Sequence, residues 1–172
     1  MIGPLLTHWT IRLALACYVG TLLVKLVSRD KSRWWPVART TWTVGCLLFL
    51  AHVVCAFWFY HRWSHTHAYN HTADVTGSII GWRFGAGIYF SYLFTLLWTA
   101  DTIWWWVRPK RYNQRSATIN ILIHAYILFI AFNGAIIFEG GPVRWAGIAA
   151  CLLLAAAGCF WNWKPSAFAP ER

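Results

Sequence analysis

Residues 38–60 read ARTTWTVGCLLFLAHVVCAFWFY, a stretch whose single Lys or Arg, Arg39, stands near its start. An α-helix needs about 20 consecutive apolar residues to cross the hydrocarbon core of a bilayer, so this stretch predicts a transmembrane helix. Four more stretches have a similar length and apolar character, and they lie at residues 6–27, 84–107, 117–138 and 143–163. The sequence therefore predicts an all-α, polytopic membrane helix bundle with about five transmembrane helices.

The composition supports the same class. The chain has 172 residues, of which 59% are hydrophobic and 12% are charged, and it contains 14 Trp. These values are typical of a multi-pass membrane protein rather than of a soluble domain. The longest connection, at residues 61–83, has only about twenty residues, which leaves no room for a soluble module. We expect a single transmembrane domain over residues 1–172.

The net charge of +10 could indicate a nucleic-acid partner, but the positions of Lys and Arg argue against one. Eleven lie beside the first and third connections or after the last span: Lys25, Arg29, Lys31, Arg33, Arg39, Arg108, Lys110, Arg111, Arg115, Lys164 and Arg172. Four lie on the other side: Arg12, Arg62, Arg83 and Arg144. By the positive-inside rule, the N-terminus is outside, the C-terminus is cytoplasmic, and the connection 61–83 is extracytoplasmic.

That connection begins with residues 61–74, HRWSHTHAYNHTAD, which hold four of the seven His. On one continuous helix, His61 and His65 would share a face, whereas His67, His71 and Asp74 would share another face about 120° away. Two imidazoles and a carboxylate on successive turns are ligands that suit zinc, or iron with open positions. The five Cys form no CxxC pair, which disfavours a thiolate zinc site.

The sequence thus predicts a candidate metal site at His67, His71 and Asp74, supported by His61 and His65. His8 and Glu139, at the same end of other spans, could add ligands or orient them. Two alternatives stay open. The polar side chains could simply bridge water, headgroups and helix ends, or the imidazoles could sense pH.

Ionisable residues inside the spans form a second group of candidates, because burying them in a membrane is costly. Asp101 and His124 lie at similar depths, about 9 and 10 Å from the cytoplasmic side, and are predicted to form an intramembrane polar pair near Asn120. His52 matches the depth of Tyr92, which favours a hydrogen bond between them. Haem is a further alternative for His52 and His124, although about 8 Å of depth separates them.

The stretch HTHAYNHTADVTG, followed by GAGIYFSYLFTLLWTAD, resembles an uncharacterised family of small multi-pass bacterial membrane proteins. The resemblance covers about residues 61–107. It implies a bacterial cytoplasmic (inner) membrane, and it transfers no activity, cofactor or site residue.

Three functions remain open. The first is an accessory or assembly subunit that packs against partner helices, favoured by the small-residue series Gly147, Cys151, Ala155 and Cys159 in the last span. The second is a metal-binding or redox protein that uses the His/Asp cluster. The third is a small transporter or proton path through Asp101 and His124. With no nucleophile motif or phosphate loop, the sequence indicates no catalytic residue.

Overall fold

The computed structural model of the chain describes residues 2–28 and 31–163. In these residues the helices are α1 Ile2–Val27, α2 Lys31–Ala56, α3 His65–Ile80, α4 Gly87–Val107, α5 Pro109–Asn113, α6 Ala117–Phe132 and α7 Gly141–Trp163. Helices α2 and α6 each continue into a π-helical turn, at Phe57–His61 and Asn133–Ile137. The described residues contain no strand, so the predicted all-α class is confirmed. Arg29, Lys164 and Arg172, which entered the charge argument, lie outside them.

Four helices are long and apolar enough to cross a membrane: α1, α2 with its π turn, α6 with its π turn, and α7. They support a multi-pass membrane protein. Helix α4 coincides with the predicted span 84–107 and has 21 residues. It is not among the four, because its Tyr, Trp and Thr residues and Asp101 lower its mean hydropathy. The number of crossings and their orientation therefore stay predictions.

The core lies where α1, α2, α4 and α6 meet, and large aromatic side chains fill it. Tyr18, Trp42, Phe94 and Trp98 are almost fully buried, and the ring centroids of Trp42 and Trp98 are 5.3 Å apart. Such rings bury large apolar areas and pack edge to face or at a tilt. Gly45 makes room for them, because a Cβ added there would lie 2.9 Å from Trp98 Cζ2. The bundle is thus held by aromatic packing on the inside, and it exposes both aliphatic and aromatic side chains outside.

The histidine-rich connection is a short surface helix rather than a loop. The π turn that ends α2 stops at His61, and Arg62 and Trp63 then adopt left-handed φ values of 49° and 57°. Helix α3 starts next, where the Ser64 hydroxyl accepts a hydrogen bond from the backbone N–H of His67 at 3.2 Å. This N-cap fixes the start of the helix. We call the end of the bundle that carries α3 the histidine end, and the end that carries α5 the basic end.

Candidate metal centre

The interruption of the helix between α2 and α3 decides which histidine side chains lie close together. On one continuous helix, His61 would point away from His67 and His71. The left-handed turn at residues 62–63 instead places His61 on a separate element, so that its ring faces back toward α3. His61 is only 9% exposed, whereas His67 and His71 lie on the exposed surface of α3.

Three imidazoles converge there. The Nδ1 atoms of His61 and His67 are 3.4 Å apart, and the ring centroids of His61 and His71 are 5.4 Å apart. Two nitrogens bound to one tetrahedral zinc at 2.0–2.1 Å are separated by about 3.3–3.4 Å. The first two histidines therefore already have the spacing of a ligand pair. We call His61, His67 and His71 the histidine triad.

The other two predicted ligands have different partners. His65 Nδ1 lies 2.9 Å from the Tyr92 hydroxyl of α4, on the far side of α3 from the triad. Asp74 forms an exposed ion pair with Arg83, with Oδ1 and Nη2 2.5 Å apart. An ion-paired carboxylate is a poorer metal ligand, since it must first lose its cation. The structure thus brings His61 into the group that the sequence proposed and engages Asp74 and His65 elsewhere.

The triad is not a finished metal site. Within the described part of the chain, no three His, Cys, Asp or Glu side chains are placed so that one ion would already contact all of them. In the present arrangement, the short contact between His61 and His67 is a hydrogen bond in which one ring donates to the other. Because His67 and His71 are exposed, their rings can rotate without disturbing the core.

A cavity of about 380 Å³ lies beside the triad, and we call it the histidine chamber. Its charged and imidazole side chains come from several elements: His8, Arg12, His52, His61, His71 and Glu139. His8 and Glu139 were predicted to lie near the cluster, and both face the same space as His61 and His71. The triad therefore borders a chamber that could admit water or a small ligand.

His52 lies in the chamber wall, where it has a different partner from the predicted one. Its Nδ1 is 2.9 Å from the backbone oxygen of Thr7 on α1, whereas Tyr92 contacts His65. A carbonyl oxygen inside a helix is normally occupied by the amide four residues later, but it can accept a second hydrogen bond. The expected bond between His52 and Tyr92 is replaced by this link between α1 and α2.

At the basic end, the predicted partners Asp101 and His124 bond to other groups. Asp101 accepts a hydrogen bond from the Tyr112 hydroxyl at 2.9 Å and forms a buried ion pair with Arg115. The same guanidinium donates to Asn120 at 2.5 Å. We call Asp101, Tyr112, Arg115 and Asn120 the basic-end cluster. Burial, and then the Asp101 carboxylate, raises the pKa of the Tyr112 phenol above its usual range, so Tyr112 acts as a donor.

His124 lies next to this cluster and contacts a lysine. Its Nε2 is 3.4 Å from Lys25 Nζ, and the ammonium of Lys25 lies 4.7 Å from the centroid of the Trp105 ring. Sequence reasoning missed Lys25 and Arg115 because it counted both as flanking surface charges. One signal was present: Ala14, Tyr18, Thr21 and Lys25 recur at helical spacing, and the first three are buried.

Comparison of the chain with protein families, with curated proteins and with solved structures gives no match.

Proposed function

We propose that this protein is a membrane metal-binding protein whose histidine triad holds one transition metal ion, with zinc as the first choice and iron as the second. The observation that carries the proposal is the 3.4 Å separation of the Nδ1 atoms of His61 and His67, with His71 beside them. Neutral imidazole nitrogens are common ligands of both metals. A site with three imidazoles would keep a fourth position for water or a ligand from the histidine chamber.

The proposal includes a location and an orientation. It places the chain in the bacterial cytoplasmic membrane with five crossings and with the histidine end outside. The split of eleven Lys and Arg against four supports the orientation. The length of α4 supports the fifth crossing, since 21 residues extend about 31 Å as a helix, close to the ~30 Å hydrocarbon core.

Zinc binding tests the site directly. The protein, solubilised in a mild detergent and stripped with a chelator, is titrated with zinc against a chromophoric competitor. We expect one zinc per chain, and we expect His61→Ala and His67→Ala each to weaken binding by at least about tenfold, since even outer partners of metal ligands contribute that much.

Two matched variants control for general effects on α3. His65→Ala removes an imidazole that lies on the same helix but contacts Tyr92. Asp74→Asn removes the carboxylate that pairs with Arg83. Neither should change the zinc affinity. Unchanged affinity in both His61→Ala and His67→Ala, with the fold intact, would refute the proposed ligand set.

A second candidate is an accessory subunit, and one feature of α7 favours it. In its apolar window Gly141–Gly158, none of the residues is buried within the chain. A membrane helix with so little internal packing can present its surface to a partner helix. Co-purification of a stoichiometric membrane partner from mild detergent, lost when bulky residues replace exposed Leu152 and Leu153, would support this function. A monomeric protein with bound zinc would contradict it.

A further inference from the structure

Two cavities of the bundle share a wall. Beside the histidine chamber lies a second cavity of about 620 Å³ between α1, α6 and α7, which we call the apolar groove. Residues that line both cavities are Arg12, Leu15, Ala131, Ala135 and Val143. Each volume is within the range of ligand sites in proteins, about 300–1,000 Å³. A single ligand could thus place a polar part in the chamber and an apolar part in the groove.

The apolar groove is about as long as one leaflet of the hydrocarbon core is thick. Beyond Arg12 its lining is almost entirely aliphatic and aromatic, with Val19, Leu23, Leu128, Phe132 and Leu154. Along α1 it extends from Arg12 to Leu23, about 17 Å at 1.5 Å per residue. Half of a bilayer core is about 15 Å thick. An extended acyl chain therefore matches the groove in length and chemistry.

Arg12 stands where the two cavities join, near the middle of α1. A guanidinium at that depth is costly unless water or an anion accompanies it. The contact found for it is with the Trp9 ring, whose centroid is 5.7 Å from Cζ. The carboxylates that form ion pairs in the described residues, Asp74 and Asp101, are paired with other arginines. Glu139 also lines the histidine chamber, but no ion pair joins its carboxylate to Arg12 in the described residues.

We propose that the apolar groove binds an anionic lipid, with an acyl chain between α1 and α7 and the headgroup at Arg12 and the histidine chamber. The guanidinium of Arg12, which forms no ion pair in the described residues, favours an anionic headgroup over a neutral one at the junction of the cavities. The narrow, almost wholly apolar lining and the length of about 17 Å along α1 favour an acyl chain as the occupant. The inference goes beyond metal binding and does not require it.

The test uses metal-free protein in nanodiscs. One preparation contains a phosphatidylglycerol that carries a diazirine on its acyl chain, and the other contains the phosphatidylcholine with the same chain. After illumination, mass spectrometry maps the labelled peptides. We expect the label on α1 and α7 at the groove, with about fivefold preference for phosphatidylglycerol, the equivalent of about 1 kcal/mol for one basic residue.

Matched variants separate the headgroup from the chain. Arg12→Gln should abolish the preference for phosphatidylglycerol, whereas Arg62→Gln, which removes an exposed charge outside both cavities, should keep it. Ala150→Phe fills the groove and should reduce labelling by both lipids, whereas Leu152→Phe, on the exposed face of α7, should not. If Arg12→Gln fails to fold, the comparison of Ala150→Phe with Leu152→Phe still tests whether the groove holds the acyl chain.

Two results would overturn the inference. One is equal groove labelling by both lipids in the unmodified chain. The other is labelling spread evenly over all membrane-facing helices and unaffected by Ala150→Phe. Because zinc is absent throughout, failure of this test says nothing against the histidine triad, and loss of zinc binding in triad variants says nothing against the groove.

Discussion

Removing Arg115 should destabilise the bundle far more than removing another arginine that also pairs with an aspartate. In the basic-end cluster, the side chains of Arg115 and Asp101 are 4% and 0% exposed. Arg115→Met would leave the buried Asp101 carboxylate with a hydrogen bond from Tyr112 alone. Truncating one partner of a buried pair typically lowers the free energy of unfolding by about 3–5 kcal/mol. Because Lys25 also attracts this carboxylate, we expect about 3 kcal/mol.

The control is Arg83→Met at the histidine end. Arg83 pairs with Asp74 at 2.5 Å, but these side chains are 69% and 62% exposed. An exposed ion pair contributes only about 0–1 kcal/mol, since water screens both charges. The same substitution in the same chain therefore compares a buried and an exposed pair directly.

Unfolding by titration with sodium dodecyl sulfate, followed by tryptophan fluorescence, measures both free energies, because the 14 Trp report on packing throughout the bundle. The double variant Asp101→Asn/Arg115→Met should lose less than the sum of the two single variants, as expected for groups in contact. Equal losses in Arg115→Met and Arg83→Met, or strict additivity in the double variant, would refute the reasoning.

Two further predictions concern packing and orientation. Gly45→Ala should lower the free energy of unfolding by about 1–3 kcal/mol, because the new Cβ would lie 2.9 Å from Trp98 Cζ2. Gly20→Ala is the control and should be close to neutral in the same titration, because its nearest neighbour would be 4.0 Å away. A single cysteine placed at exposed Ser78 should react with a membrane-impermeant maleimide added outside intact cells. A single cysteine placed at exposed Gln114 should react only after lysis. The reverse pattern would show that the predicted orientation is wrong.

The sequence predicted the helical class because hydropathy is a local property. Each span contains enough consecutive apolar residues to be recognised without knowing its neighbours, as in residues 38–60. Most observed helix ends lie within three residues of those limits, but α1 begins at Ile2 rather than at residue 6, and α2 begins at Lys31 rather than at residue 38. The same reasoning located the histidine-rich connection, but it grouped His67 and His71 with Asp74 and placed His61 on another face.

The partners of individual side chains could not be predicted in the same way. Depth along a helix axis suggested that Asp101 pairs with His124 and that His52 pairs with Tyr92, but depth alone leaves rotation about the axis undetermined. Arg115 reaches Asp101 from the connection after α5, and Thr7 reaches His52 from α1. Two side chains form a hydrogen bond only if they lie at the same depth and point toward each other, and the direction of each side chain depends on how the helices pack.

By itself, the sequence determined that the chain forms apolar helices, which stretches of the chain form them, and which polar residues lie near each end, since these follow from composition along the chain. Only the tertiary structure decided that His61 joins His67 and His71, that Asp74 turns to Arg83, and that Arg12 stands between two cavities. The physical reason is the left-handed turn at Arg62 and Trp63, together with the packing of α1 against α6 and α7. These features set the directions of the side chains, which the local sequence pattern does not reveal.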